Sequence, residues 1–127
     1  MFRRGVLVSV AASAVVVSGL ALAVPATADS GISIVTNGTD AGRGYFQSTG
    51  EHFTVCDVKS DGYGVELNWY VEVNPSNSGT VRDGTGNDGQ CIGYNADIAE
   101  GRAVDYRLCL TNNGAVIQCT AYRRDFA

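Results

Sequence analysis

One run of alternating side chains constrains this chain more than any other feature: residues 62–73 read G-Y-G-V-E-L-N-W-Y-V-E-V. Its odd positions are Tyr63, Val65, Leu67, Trp69, Val71 and Val73, and its even positions are Gly62, Gly64, Glu66, Asn68, Tyr70 and Glu72. A period of two over this length predicts a half-buried β-strand and excludes an amphipathic helix. The run holds the chain's single tryptophan. It is therefore expected to be the central strand of a β core, with Trp69 as packing.

The remaining elements are read as short strands between clusters of Gly, Asn, Asp and Ser. Expected strands are Ile32–Val35, Gly44–Gln47, Glu51–Val58, a possible edge strand Thr80–Arg82, Cys91–Tyr94, Ala103–Thr111 and Ala115–Tyr122. Asn37-Gly38, Lys59-Ser60-Asp61-Gly62 and Asn112-Asn113-Gly114 are turn signals. Pro75 is expected to end the central strand, because proline has no N–H for a ladder bond. Ser76–Gly79 reads as a polar connection, Asp83–Gln90 as a glycine-rich loop and Ala96–Arg102 as a crossing loop or single helical turn. The expected fold is all-β: an antiparallel β-sandwich of seven or eight short strands, of immunoglobulin-like or Greek-key type, with two disulfides.

The first 28 residues are read as a signal peptide. Arg3 and Arg4 precede an apolar stretch from Gly5 to Val24, Pro25 breaks it, and Ala26-Thr27-Ala28 offers small residues for cleavage. Cleavage after Ala28 leaves a secreted domain over residues 29–127, one core's worth of chain that benefits from cross-links. Four cysteines, Cys56, Cys91, Cys109 and Cys119, lie in that domain, and with one histidine and no C-x-x-C they read as two disulfides rather than a zinc site. Without Arg3 and Arg4, seven basic side chains face thirteen acidic ones, a net charge of −6. Such a domain is not expected to bind nucleic acid or, once cleaved, a membrane.

The order Cys56, Trp69, Tyr106, Cys109 resembles the Cys…Trp…Tyr-x-Cys order of immunoglobulin domains, and residues 65–71 resemble their central strand. The spacing departs from that family: Cys109 follows Tyr106 by three positions rather than two, so Cys109 points away from the apolar row of Val104, Tyr106, Leu108 and Leu110. Cys56 is likewise out of phase with Phe53 and Val55, which disfavours a bridge across the core. A two-residue Asp61-Gly62 hairpin would put Cys56 on the face of Leu67 and Trp69. Burying Phe53 and Val55 is worth roughly 1.5–3 kcal/mol each and outweighs that. Placing the two strands in different sheets removes the conflict. Of the three possible pairings, Cys56–Cys91 and Cys109–Cys119 are preferred, the second requiring an odd-numbered loop such as Asn112-Asn113-Gly114.

The chain also resembles small secreted actinobacterial proteins. The matching segments are Gly44-Tyr45-Phe46-Gln47, Gly50–Asp57, Asp61–Val65 and Glu100–Leu110, the last three read as G-E-x-F-x-V-C-D, D-G-x-x-V and E-G-x-x-V-x-Y-R-x-C-L. This resemblance implies export, disulfides and an all-β fold, and it implies no activity.

Candidate sites are few. His52 is the single conventional general base, and Glu51, Thr54, Asp57 and Ser48 are its possible partners in an acid–base or hydrolytic cluster. Nothing resembles G-x-S-x-G. Asp83, Asn87 and Asp88 are hard oxygen donors on a glycine-rich loop and form a weak calcium candidate, although the EF-hand pattern fails. Tyr45, Tyr63, Tyr70, Tyr94 and Tyr122 are candidate aromatic contacts for a sugar or protein. The foremost is Tyr70, on the same strand face as Asn68, Glu66 and Glu72. Arg123 and Arg124 read as a solvated end.

These features favour a non-catalytic binding or cell-envelope-associated module with a protein or polysaccharide partner, no cofactor and no catalytic residues. The alternatives are a small extracellular hydrolase inhibitor presenting Asn74–Gln90 as a rigid loop, and a His52-dependent hydrolase.

Overall fold

Alternation becomes layering in the computed structural model, which describes residues 30–84 and 89–127. The expected signal peptide and the calcium candidates Asn87 and Asp88 lie outside the described residues. The strands are β1 (Ser30–Thr36), β2 (Thr39–Gln47), β3 (His52–Asp57), β4 (Gly64–Val71) and β5 (Asn74–Asp83). They continue with β6 (Cys91–Asn95), β7 (Ala103–Asn112), β8 (Ala115–Cys119) and β9 (Arg123–Phe126). Two antiparallel sheets result: a four-stranded one in the order β1-β2-β3-β6, and a five-stranded one in the order β5-β4-β7-β8 with β9 also on β7. The described strands number nine, against the seven or eight expected.

The central run is β4, flanked by β5 and β7. Val65, Leu67, Trp69 and Val71 are buried against Val104, Tyr106, Leu108 and Leu110 of β7 and against Phe53 and Val55 of β3. Phe53 ties the sheets together: its ring lies 4.8 Å from Phe46, stacks 5.0 Å from Trp69 and meets Tyr106 edge-on at 6.2 Å. The ends of the run depart from expectation. Tyr63 is half-buried against the core, and Val73 is 62% exposed because Glu72 and Val73 form the β4–β5 turn.

On β2, Gly42 and Gly44 face the opposite sheet. A Cβ on Gly42 would fall 2.6 and 2.7 Å from the two methyls of Val65, and one on Gly44 would fall 2.7 Å from Leu108. The sheets approach closely here because these positions carry no side chain.

Four further corrections concern pairing. Pro75 does not end a strand before a loop: residues 74–83, expected to be mostly connection, form the edge strand β5. Register shifts from Tyr70↔Ser78 to Val71↔Asn74, so residues 75–77 bulge out and proline sits where no ladder bond is required. The inhibitor reading loses most of its loop thereby. Next, β8 is shorter than expected and Arg123–Phe126 is not a solvated tail but β9, which takes β7's edge at residues 103–106 while β8 takes it at 109–112. Finally, the β7–β8 turn is the two-residue Asn113-Gly114, both with positive φ, rather than an odd-numbered loop. A bulge that leaves Ile117 unpaired supplies the parity instead.

The disulfides join Cys56 to Cys91 and Cys109 to Cys119. Each links directly opposed residues of neighbouring strands within one sheet, and neither crosses the core. β3 and β4 lie in different sheets, so the turn between them sets no register.

Candidate functional site

The face of the five-stranded sheet turned away from the core carries the densest polar structure among the described residues. Strand pleat and register place three rows on it. Asn68 stands between Thr80 and Arg107, Tyr70 between Ser78 and Asp105, and Glu66 between Arg82 and Cys109.

Each row is bonded internally. Arg82 donates Nε and Nη2 to Glu66 Oε2 at 3.0 and 2.7 Å. Its stem covers Glu66, which is 4% exposed rather than solvent-facing as the polar alternation suggests. Asn68 Nδ2 donates to Glu66 Oε1 at 3.3 Å and to Thr80 Oγ1 at 3.1 Å, while its Oδ1 accepts from Arg107 Nε at 3.3 Å. Arg124 donates Nε and Nη2 to the two oxygens of Asp105 at 2.9 and 2.8 Å and pairs with Glu72 at 3.2 Å. Glu72 thus belongs to the turn and is exposed.

The electrostatics follow from this geometry. Arg124, and then the Tyr70 hydroxyl, bond the Asp105 carboxylate and hold it below the usual carboxylate range against its burial. Donating to Asp105 raises the Tyr70 phenol, and the same carboxylate raises the Arg124 guanidinium. The polar face is thereby a fixed lattice of charge-assisted bonds.

Above it stands an aromatic pair. The Tyr70 and Tyr122 rings are 5.3 Å apart and nearly perpendicular, and Arg107 lies 4.8 Å from the Tyr122 centroid. Beside them is a shallow groove of about 470 Å³ lined by Asn68, Tyr70, Pro75, Ser78, Thr80 and Tyr122. Of the five tyrosines expected as contacts, only Tyr70 and Tyr122 form this pair. Tyr45 is on the other sheet, Tyr94 leans on Trp69 at 6.2 Å, and Tyr63 packs against the core.

The histidine cluster does not assemble. His52 is half-buried at one end of β3, its Nδ1 bonded to Asn95 Oδ1 and its ring over Gly93. Asp57 is at the other end of β3, buried, with Oδ1 accepting Lys59 N–H at 3.2 Å. Ser48 is buried in the β2–β3 turn, where Glu51 adopts a positive φ, and Thr54 stands beyond His52 along β3. Asp83 is equally unsuited to a loop cation site: it is fully buried and accepts the Asp57 N–H at 2.9 Å. Among the described residues no group of three or more His, Cys, Asp or Glu side chains is arranged to hold a metal ion.

No family model, curated protein or solved structure matches this chain.

Sequence reasoning singled out Asn68, Tyr70, Glu66 and Glu72 but not Arg107, Thr80, Ser78 or Arg124. A signal for Arg107 was present. Asp105, Arg107 and Cys109 are the outward phase of the same alternation that put Tyr106 and Leu108 inside. Thr80 and Ser78 carried none, because β5 passes through a proline and a bulge.

Proposed function

We propose that the protein is a secreted, disulfide-stabilised β-sandwich that acts as a non-catalytic binding module, associated with the cell envelope through the outer face of its five-stranded sheet. Export is supported by Arg3-Arg4, the apolar stretch that follows and the Ala26-Thr27-Ala28 site. Two formed disulfides suit an oxidising compartment. The observation that carries the reading is the Tyr70–Tyr122 pair beside an open groove, mounted on side chains already locked by hydrogen bonds. A preorganised aromatic and polar surface binds with little ordering cost.

The test is capture from washed envelope and culture supernatant by the immobilised wild type and by Tyr122→Ala. Tyr122 is 46% exposed, so its loss should leave the fold intact and strip the captured material. Equal capture by both proteins, or none by the wild type, would sink the reading.

A further inference from the structure

We infer that the groove takes a carboxylated sugar chain and that Arg107 is the side chain that reads the carboxylate. The inference rests on the outer face being a ligand surface and adds the ligand's chemistry.

Three arginines stand on this face and only two have acidic partners. Arg82 is closed on Glu66, and Arg124 on Asp105 and Glu72. No carboxylate of a described residue forms an ion pair with Arg107, which lies between them on β7. It is nevertheless held in place. Its Nε donates to Asn68 Oδ1, and its guanidinium lies against the Tyr122 ring. Neither Nη group donates to a described residue. A guanidinium held by a cation–π contact and an Nε bond, with both Nη groups unused, is a ready two-point receptor for a planar carboxylate. Arg107 is not itself a lining residue, but both residues that hold it, Asn68 and Tyr122, line the groove, so the charge stands directly beside it.

The rest of the groove selects among carboxylate bearers. It is shallow, walled by Tyr70 and Tyr122, and carries the Ser78 and Thr80 hydroxyls. That composition suits a pyranose ring, which offers a C–H face to an aromatic and hydroxyls to polar groups. An acidic peptide adding as a strand fits less well. The groove lies where Pro75 and the bulge at residues 75–77 interrupt β5, and strand addition needs an unbroken ladder. The chain's net charge of −4 also argues against general polyanion attraction, which makes the carboxylate preference local to Arg107.

The test uses the disulfide-bonded protein, expressed at full coding length into an oxidising compartment, and calorimetric titration with three probes. These are a galacturonic acid tetramer, its methyl ester and a neutral cellotetraose. The wild type should bind the acid at least about tenfold more tightly than the ester, a factor that corresponds to about 1.4 kcal/mol. Arg107→Gln should erase that preference while keeping affinity for the ester, and Arg107→Lys should restore only part of it. Equal affinity of the wild type for acid and ester overturns the inference without any variant, so misfolding of a mutant cannot hide the answer. Retention of the acid preference in Arg107→Gln also overturns it. So does Arg107-dependent binding of a Glu-rich peptide with no binding of the acid sugar. If the inference fails while capture of envelope material still depends on Tyr122, the binding-module reading stands alone. If capture fails too, both fall.

Discussion

Replacing Gly42 by alanine tests the closest approach of the two sheets. The added Cβ would lie 2.6 and 2.7 Å from the methyls of Val65 and 3.2 Å from Ile34 Cγ2. Unstrained carbon contacts lie near 3.5–4.0 Å, so the overlap with Val65 is about 1 Å at both methyls. Val65 is fully buried on β4 and is β-branched, which restricts how it can turn aside. Overpacking of this kind costs about 1–3 kcal/mol. Alanine recovers about 0.4–1 kcal/mol by stiffening the unfolded chain, since Gly42 does not use a positive φ. The expected net loss is about 1–2 kcal/mol, or roughly 5–15 °C in Tm for a domain of this size. Urea unfolding followed by Trp69 fluorescence reads it. The decisive control is Val65→Ala, alone and combined with Gly42→Ala. In the double variant the new methyl occupies space that the valine vacated, so the combined loss should fall short of the sum of the single losses by about 1–2 kcal/mol. Strict additivity, or a neutral Gly42→Ala, would refute the packing argument.

Other consequences are separable from that one. Asp105 is held below its ordinary range chiefly by Arg124. The stability it contributes is therefore fully present above its unfolded pKa of about 3.9 and is lost as pH falls through the lower folded value. Arg124→Gln removes two donors and raises that folded value, so acid unfolding followed by circular dichroism should begin at higher pH; an unshifted profile would contradict the role given to this pair. Peptide mapping without reduction should yield Cys56–Cys91 and Cys109–Cys119, and a Cys56–Cys109 peptide would refute the sheet pairing. Removing the first bridge by paired alanines should cost about 4 kcal/mol and removing the second about 3, because the first closes the longer loop. Gly79→Ala would bring a methyl to 2.9 Å from Trp69 Nε1. It should tilt the indole off Phe53 and shift its emission, whereas an unchanged spectrum would mean that the edge strand gives way instead.

Much of the fold was legible because a strand's facing is a local property. Phe53 and Val55 inward with Cys56 outward, or Tyr106 inward with Cys109 outward, follow from the pleat alone. The candidate face was half legible for the same reason. Asn68 and Tyr70 could be assigned to a polar side of β4, but nothing in the sequence announced that Thr80, Arg107 and Tyr122 would stand beside them. Glu66 illustrates the limit: it has the outward phase, yet Arg82, sixteen residues away, covers it.

The sequence by itself determined most of the strands, though not β9 or the first half of β5, together with which way most side chains point and that Cys56 and Cys109 lie on outward phases. Tertiary structure decided what pairs with what. Three bulges, at Ala41, at residues 75–77 and at Ile117, shift register without a local signature strong enough to read. The last of them brings Cys119 opposite Cys109. Tyr122 reaches Arg107 because β8 ends at Cys119 and β9 resumes on the same edge of β7. Alternation is set within each strand by backbone geometry, whereas partnership between strands is set by burial and hydrogen bonding summed over both sheets. The groove is a product of the second kind, and so it appears only in the folded chain.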